Sequence, residues 1–151
     1  MKILVQTEAF DLGTEVAAMS SGRTDIGAIA SFVGLARDMN ESNGVAAMTL
    51  EHYPGMTEKA LAQLVDDAHA RWTLQDVTVI HRIGRLVPGD PIVLVAVASR
   101  HRGEAFAACE FIMDFLKTQA PFWKKEETPD GERWVEPRAS DDAAAARWKR
   151  A

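Results

Sequence analysis

Two buried strands are predicted by the sequences Asp76-Val-Thr-Val-Ile-His-Arg-Ile83 and Ile92-Val-Leu-Val-Ala-Val-Ala98. Each is an apolar stretch of strand length, and the turn sequence Val87-Pro-Gly-Asp90 lies between them. A parallel pair needs a crossover connection of roughly a dozen or more residues, and this connection is shorter. We therefore expect an antiparallel pair here.

One helix is predicted before this strand pair in the sequence, and another after it. Residues 57–72 carry apolar side chains at helical spacing after the turn Pro54-Gly55, and residues 103–118 form a second amphipathic helix. The apolar stripe of the second helix predicts core packing by Phe106, Cys109, Ile112, Met113 and Leu116. Further strands are predicted at 2–6, 25–34, 45–53, 122–127 and 133–136, further helices at 11–20 and 140–149, and an exposed, mobile loop at 37–44.

These elements predict an α+β fold, in which a mixed or antiparallel sheet is packed with helices. The turn Pro129-Asp130-Gly131 adds a small C-terminal β-hairpin region. No linker or internal repeat divides the chain. We therefore expect a single domain that spans residues 1–151.

Composition excludes several classes of function. The formal net charge of −5 argues against general nucleic-acid binding, which depends on a basic surface. No stretch approaches the roughly 20 apolar residues that a membrane-spanning helix requires. The single cysteine, Cys109, leaves no second thiol for a disulfide, zinc or redox motif, and His52 has no further ligands at metal-binding spacing. We expect a cytoplasmic protein without a metal, cofactor, nucleic-acid or membrane partner.

A first candidate site is the sequence Ser99-Arg-His-Arg-Gly103, where a buried strand ends and a helix begins. Backbone amides at the start of a helix attract anions, and Arg102 adds donors that suit phosphate. His101 is able to donate or accept a hydrogen bond near neutral pH. Either this segment binds a phosphate or carboxylate, or it is a polar strand end that leaves the core.

A second candidate site is the segment from Lys117 to Glu126, which contains a helix end, a break at Pro121 and a strand. Alternation along a strand places Phe122, Lys124 and Glu126 on one face, and Trp123, Lys125 and Glu127 on the other. The end of a helix favours a charged lysine, whereas neighbouring cations favour a neutral one. Alternatively, Lys117 is an exposed helix-end lysine without a chemical role.

Other polar residues carry weaker signals. Gly34 permits a close backbone approach before Arg37, which starts the polar loop. His52 and His81 are interpreted as structural, and Cys109 as a small buried hydrophobic residue. The tryptophans near the end of the chain suit core packing, a dimer contact or partner docking equally well.

Taken together, several blocks resemble the large, catalytic subunit family of molybdopterin synthase, in the expected order and over nearly the whole chain. They are Leu50-Glu-His-Tyr-Pro-Gly-Met-Thr-Glu-Lys-Ala60, His81-Arg-Ile-Gly84 with Pro88-Gly-Asp90, Ser99 with His101-Arg102, and Phe111-Ile-Met-Asp-Phe-Leu-Lys117 through Ala120-Pro-Phe-Trp-Lys124. The resemblance implies an α/β-hammerhead-like fold. It also implies a sulfurtransferase that builds the molybdopterin dithiolene on cyclic pyranopterin monophosphate.

In this family the sulfur arrives as the C-terminal thiocarboxylate of a small ubiquitin-like carrier subunit that ends in Gly-Gly. The resemblance therefore implies a homodimer that binds two carriers in a heterotetramer. It explains how an enzyme whose only cysteine is predicted to be buried transfers sulfur. Two alternatives stay open, namely a non-catalytic module that binds a ubiquitin-like tail and a phosphate-ester enzyme that uses the same basic cluster.

The resemblance also implies roles for individual residues. Lys117 matches a lysine beside the carrier's terminal glycine, and Lys124 matches a second lysine essential to the chemistry. Arg138 matches an arginine that reaches the pocket of the other subunit. Leu35 departs from the family, where many relatives have a basic residue at that position. The substrate-pocket positions are matched by Leu35, Ala36, Arg37, His101, Arg102, Lys125, Glu126 and Arg138.

Overall fold

The computed structural model describes residues 1–40, 43–135 and 139–149. These residues form two four-stranded sheets and a small two-stranded ladder, together with four helices. In chain order the elements are β1 (Lys2–Gln6), α1 (Leu12–Ser20), β2 (Ala28–Leu35), β3 (Met39–Asn40), β4 (Asn43–Gly44), β5 (Ala47–His52), α2 (Met56–Arg71), β6 (Asp76–Arg82), β7 (Gly84–Leu86), β8 (Pro91–Ser99), α3 (Arg102–Gln119), β9 (Phe122–Thr128), β10 (Gly131–Trp134) and α4 (Ala139–Ala146), followed by a 3-10 turn, Arg147–Lys149.

The first sheet has the strand order β1-β6-β8-β2. Strands β6 and β8 are antiparallel, with Val79 opposite Val95, which confirms the pairing expected from their short connection. Strand β2 is also antiparallel to β8, whereas β1 runs parallel to β6. The sheet is therefore mixed, and the predicted α+β class is confirmed.

Strand β8 is the centre of the core because both of its faces are covered. Val95 and its neighbours on one face pack with β6 against α2 and α3, in a cluster that includes Leu61 and Ile112. Leu94 and its neighbours on the other face pack with Met19 of α1. Burial on two faces explains why the strand is an uninterrupted apolar run.

The second sheet has the order β10-β9-β5-β7 and is antiparallel throughout. The predicted C-terminal hairpin is present as β9 and β10, but it is joined to β5 and so belongs to a larger sheet. Strand β7 was absent from the prediction because its three residues are too few for a clear pattern. Residues 37–44 were predicted to be a loop, whereas Met39–Asn40 pairs with Asn43–Gly44.

Helix α3 follows the predicted bounds closely, and most of its predicted apolar stripe is buried. Cys109, Ile112 and Leu116 lie in the core, but Phe106 is 64% exposed, so its assignment to the core was wrong. The buried face continues through Ala105, one position earlier, because small residues let the helix pack closely on the sheet.

The C-terminal segment is held on α3 through Trp148. Its indole Nε1 donates to Asp114 Oδ2 at 2.7 Å, and its ring meets Trp72 and Phe111 edge to face. Arg71 donates to the Trp148 carbonyl oxygen at 2.6 Å. These contacts place α4 beside α3. In the described parts of the chain, no helix combines the length and apolarity needed to cross a membrane.

Candidate functional site

A cavity of about 300 Å³ lies where the C-terminal end of α3 meets the second sheet and the end of β2. Its apolar wall includes Met48, Leu50, Ile92 and Leu116. Its polar groups come from distant parts of the sequence. The predicted site residues that line it are Leu35, Ala36, Arg37, Lys117, Lys124 and Glu126.

The end of β2 is shaped by a close backbone approach. A Cβ atom added to Gly34 would lie 2.9 Å from Val93 Cγ1, so the predicted close approach at this position is present and a larger residue would force Val93 to shift. The pairing register of β2 shifts between Gly34 and Leu35, and the Ala36 amide then donates to the Asp90 carbonyl oxygen at 2.9 Å. Arg37 follows this irregularity and lines the cavity.

The two lysines lie on either side of the Pro121 break. Lys117 is exposed in the last turn of α3, and Lys124 is half-buried on β9. The predicted alternation along β9 is confirmed, since Phe122, Lys124 and Glu126 line the cavity.

Lys125 does not line this cavity, in contrast to the substrate-binding role that the resemblance implied. Its side chain lies on the opposite face of β9, because neighbouring strand residues point to opposite sides. Lys125 Nζ lies 3.3 Å from Glu132 Oε2 and 5.5 Å from the ring centroid of Trp134. These contacts tie Lys125 to β10 instead.

Glu126 is a buried carboxylate with a specific cationic partner that the sequence analysis missed. It is 3% exposed, and Arg133 donates to its Oε1 from Nη2 at 3.0 Å and from Nε at 3.3 Å. A buried carboxylate requires such compensation. Arg133 lies directly opposite Glu126 in the β9–β10 hairpin. The predicted turn between the two strands is the sequence signal from which this pair could have been inferred.

His101 and Arg102 do not join the cavity of their own chain. They lie at the start of α3, whereas Lys117 lies in its last turn. Fifteen positions of an α-helix, from 102 to 117, rise by about 22 Å. Arg102 and Lys117 are therefore too far apart along α3 to line one pocket within a single protomer. Arg138 lies outside the described residues.

His81 lines the cavity and is uncharged at neutral pH. Burial lowers its pKa from 6.5 to about 4, the hydrogen bond to the Arg82 carbonyl oxygen opposes this shift, and the charges of Lys117 and His52 add to it. Nδ1 lies 2.8 Å from that carbonyl oxygen and donates to it, and the ring stacks on Phe122 at 3.8 Å between centroids. His81 was interpreted as structural, and its place in the cavity wall was not predicted. The position of Asp141, which α4 brings to the cavity, was not predicted either.

The buried imidazole predicts an acid-dependent loss of stability. Between pH 6.5 and about 4, unfolding lets His81 take up a proton that the folded state excludes. The free energy of unfolding therefore falls as the pH falls through this range, by roughly 3 kcal/mol in total for this group. Urea denaturation at a series of pH values should show that His81→Phe loses less stability over this range than the unmodified protein.

The matched control for this experiment is the exposed histidine, His69. His69→Gln removes an imidazole from an exposed position, so the comparison separates the effect of burial from that of losing a histidine. Parallel curves for the unmodified protein and His81→Phe would contradict the assignment of the acid-sensitive step to His81.

Cys109 is remote from this chemistry. It is 6% exposed, and burial raises the pKa of its thiol to about 11. The thiolate is the nucleophilic form of cysteine, so this side chain is inert at neutral pH. Its interpretation as a small buried hydrophobic residue is confirmed.

Comparison with known proteins agrees with this architecture. The family model described as MoaE protein matches residues 5–119. The molybdopterin synthase catalytic subunit of Ralstonia nicotianae is 65% identical over 146 residues, which cover 97% of this chain and 83% of the relative. The solved MoaE protein of Burkholderia ambifaria MC40-6 has 59% identity and a TM-score of 0.84, with 98% of this chain and 97% of that chain covered.

A more distant structure shows the same fold. It is the protein–protein complex of subunit 1 and 2 of molybdopterin-converting factor from Helicobacter pylori 26695. The matched chain is 20% identical with a TM-score of 0.72, and the match covers 91% of this chain and 90% of that chain. From the family match and the identity to its relatives, the chain belongs to the MoaE family.

Proposed function

We propose that this chain is the sulfurtransferase subunit that converts cyclic pyranopterin monophosphate into molybdopterin. The observation that carries the proposal is the cavity, which gathers Arg37, Lys117 and Lys124 around an apolar wall. The chain's only cysteine is buried away from these cations with a raised pKa. Sulfur therefore has to be delivered by another molecule, and the proposed donor is the thiocarboxylate of a ubiquitin-like carrier.

The cationic side chains have complementary roles in this reaction. Arg37 binds the anionic substrate, because a guanidinium offers several donors to phosphate oxygens. Lys117 lies beside the carrier's terminal glycine, where it stabilises negative charge as sulfur leaves the carrier. Lys124 stabilises the charge that develops on the pterin as sulfur attacks and oxygen leaves. The new C–S bond to the pterin replaces a C–O bond and links the carrier to the pterin as a thioester. Water then cleaves the acyl C–S bond of this thioester, which leaves the sulfur on the pterin and releases the carrier with a C-terminal carboxylate. Two such transfers build the dithiolene.

Glu126 lies beside Lys124 in this pocket as one half of an ion pair. Its carboxylate is held by Arg133 from β10, so the pair adds no net charge beside Lys124. Burial lowers the pKa of His81 to about 4, so this side chain adds no positive charge to the wall at neutral pH. The pocket therefore combines fixed cations with an apolar surface that suits the flat rings of a pterin.

The carrier is proposed to enter as an extended tail. The Helicobacter pylori relative was solved as a complex of subunit 1 and 2, which supports a partner subunit for this chain as well. A Gly-Gly terminus permits close backbone approach to the wall around Lys117. The wider proposal is that residues 1–151 act as one domain in the cytoplasm.

A homodimer completes the site. His101 and Arg102 lie about 22 Å along α3 from Lys117, too far to share its substrate within one chain. In a twofold dimer, any residue that one protomer contributes to its partner's pocket is contributed equally in the reverse direction. We propose that His101, Arg102 and Arg138 bind the substrate across the dimer interface, and that two carriers complete a heterotetramer.

Reconstitution tests this function. Purified protein mixed with thiocarboxylated carrier and cyclic pyranopterin monophosphate is expected to release molybdopterin, measured as dithiolene formed per enzyme. Carrier with an ordinary C-terminal carboxylate is the control and should give no product. Carrier binding without any dithiolene would overturn the enzymatic proposal in favour of a binding module, and hydrolysis of the phosphate ester would favour a phosphate-ester enzyme.

A further inference from the structure

We propose that Thr57 is a positioning residue for the reaction, because its hydroxyl locks the short hinge that joins Lys117 to Lys124. The hinge is defined as residues 120–122, between the end of α3 and the start of β9. This inference rests on the proposed function, in which both lysines take part in sulfur transfer.

The hinge determines how the two lysines face each other. Lys117 is three positions before the hinge in a rigid helix, and Lys124 is two positions after it in a paired strand. A small rotation at the hinge would move one lysine relative to the other. The Phe122 amide donates to the Ala120 carbonyl oxygen at 2.9 Å, which makes the turn around Pro121 tight.

Thr57 holds the centre of this turn from α2. Its side chain is fully buried, and its hydroxyl donates to the Pro121 carbonyl oxygen at 3.0 Å. The same hydroxyl accepts a hydrogen bond from the Tyr53 amide at 3.0 Å. Proline has no amide hydrogen, so the carbonyl is the only backbone group through which Pro121 is held by a hydrogen bond. Thr57 therefore fixes the hinge to the start of α2.

His81 holds the end of the hinge from β6. Its ring stacks on Phe122 with an angle of 18° between the planes, and its own orientation is fixed by the bond to the Arg82 carbonyl oxygen. Thr57 does not line the cavity and His81 belongs to its wall, yet both converge on the three residues between the lysines. This convergence favours a role in positioning over one in general stability.

The test compares Thr57→Val with Thr57→Ser in the enzyme reconstituted with thiocarboxylated carrier and cyclic pyranopterin monophosphate. Valine keeps the shape but cannot donate to Pro121, whereas serine keeps the hydroxyl. Since a displacement of about 1 Å costs up to a hundredfold in rate, Thr57→Val should lower kcat by about tenfold or more. KM for the precursor should change by less than about threefold, and Thr57→Ser should restore most of the lost kcat.

A matched control separates positioning from stability. Val77→Ala creates a cavity in the first-sheet core and should lower Tm with little change in kcat. The inference is overturned if Thr57→Val keeps kcat within about twofold, or if Val77→Ala at an equal loss of Tm reduces kcat equally. Should Thr57→Val fail to fold, Thr57→Ala replaces it, with the same kcat loss expected and the same outcomes decisive.

Parallel assays of Lys117→Ala and Lys124→Ala distinguish failure of the Thr57 proposal from failure of the proposed catalytic site. If both lysine variants are inactive while Thr57→Val is active, only the role of Thr57 fails. If both lysine variants turn over normally, the proposed catalytic site fails, and the role of Thr57 fails with it.

Discussion

Lys117→Ala and Lys124→Ala are each expected to reduce molybdopterin formation by about a hundredfold to a thousandfold, the usual loss when a preorganised charge-stabilising group is removed from an active site. Both lysines line one cavity on either side of the Pro121 break. Single-turnover assays with saturating carrier and precursor measure the chemical step directly. Tm and dimerisation should stay unchanged, because Lys117 is exposed and Lys124 is only half-buried.

Two further lysines make this experiment specific. Lys59 lies exposed on α2, and Lys59→Ala is the control that should retain normal turnover. Lys125 is adjacent to Lys124 but lies on the other face of β9, so Lys125→Ala should behave like the control. If Lys125→Ala loses as much turnover as Lys124→Ala, the result would support the substrate-binding role that the family resemblance implied for Lys125. Near-normal turnover in both Lys117→Ala and Lys124→Ala would show that neither lysine has the proposed charge-stabilising role.

The β6–β8 pair of the first sheet was predictable because its signals are local. The apolar runs of β6 and β8 and the short connection between them determine an antiparallel pair, which the structure contains. The second sheet was less predictable because β5 and β9 are far apart in the sequence, yet Leu50 pairs with Lys124. No local pattern specifies that register, because it depends on residues 70 or more positions apart in the chain.

In the candidate site, too, the features that depend on nearby residues were predictable and those that depend on tertiary packing were not. Strand alternation correctly placed Lys124 and Glu126 on the same side, because that rule depends only on neighbouring residues. The separation of Arg102 from Lys117 was also predictable, because it follows from the length of the predicted helix between them. Asp141 and His81 reach the cavity through tertiary packing, which periodicity does not encode.

Intersubunit complementation is the second large effect that we expect. Lys117→Ala and Arg102→Ala dimers should each be nearly inactive, because every site lacks one of the two residues. In a mixed dimer, one site lacks both residues and the other has both, provided that Arg102 acts across the interface. Dimers isolated with two different affinity tags should therefore regain about half of normal turnover, as expected from twofold symmetry.

The matched control is the mixed dimer of Lys117→Ala with Lys124→Ala. Both of these residues line the cavity of the same protomer, so each site of the mixed dimer lacks one lysine and activity should not return. Recovery in the Arg102 pair but not in the lysine pair would require a site built from two protomers. Absence of recovery in the Arg102 pair would separate Arg102 from the partner's pocket. The length of α3 keeps it from the pocket of its own chain, so Arg102 would then have no place in substrate binding.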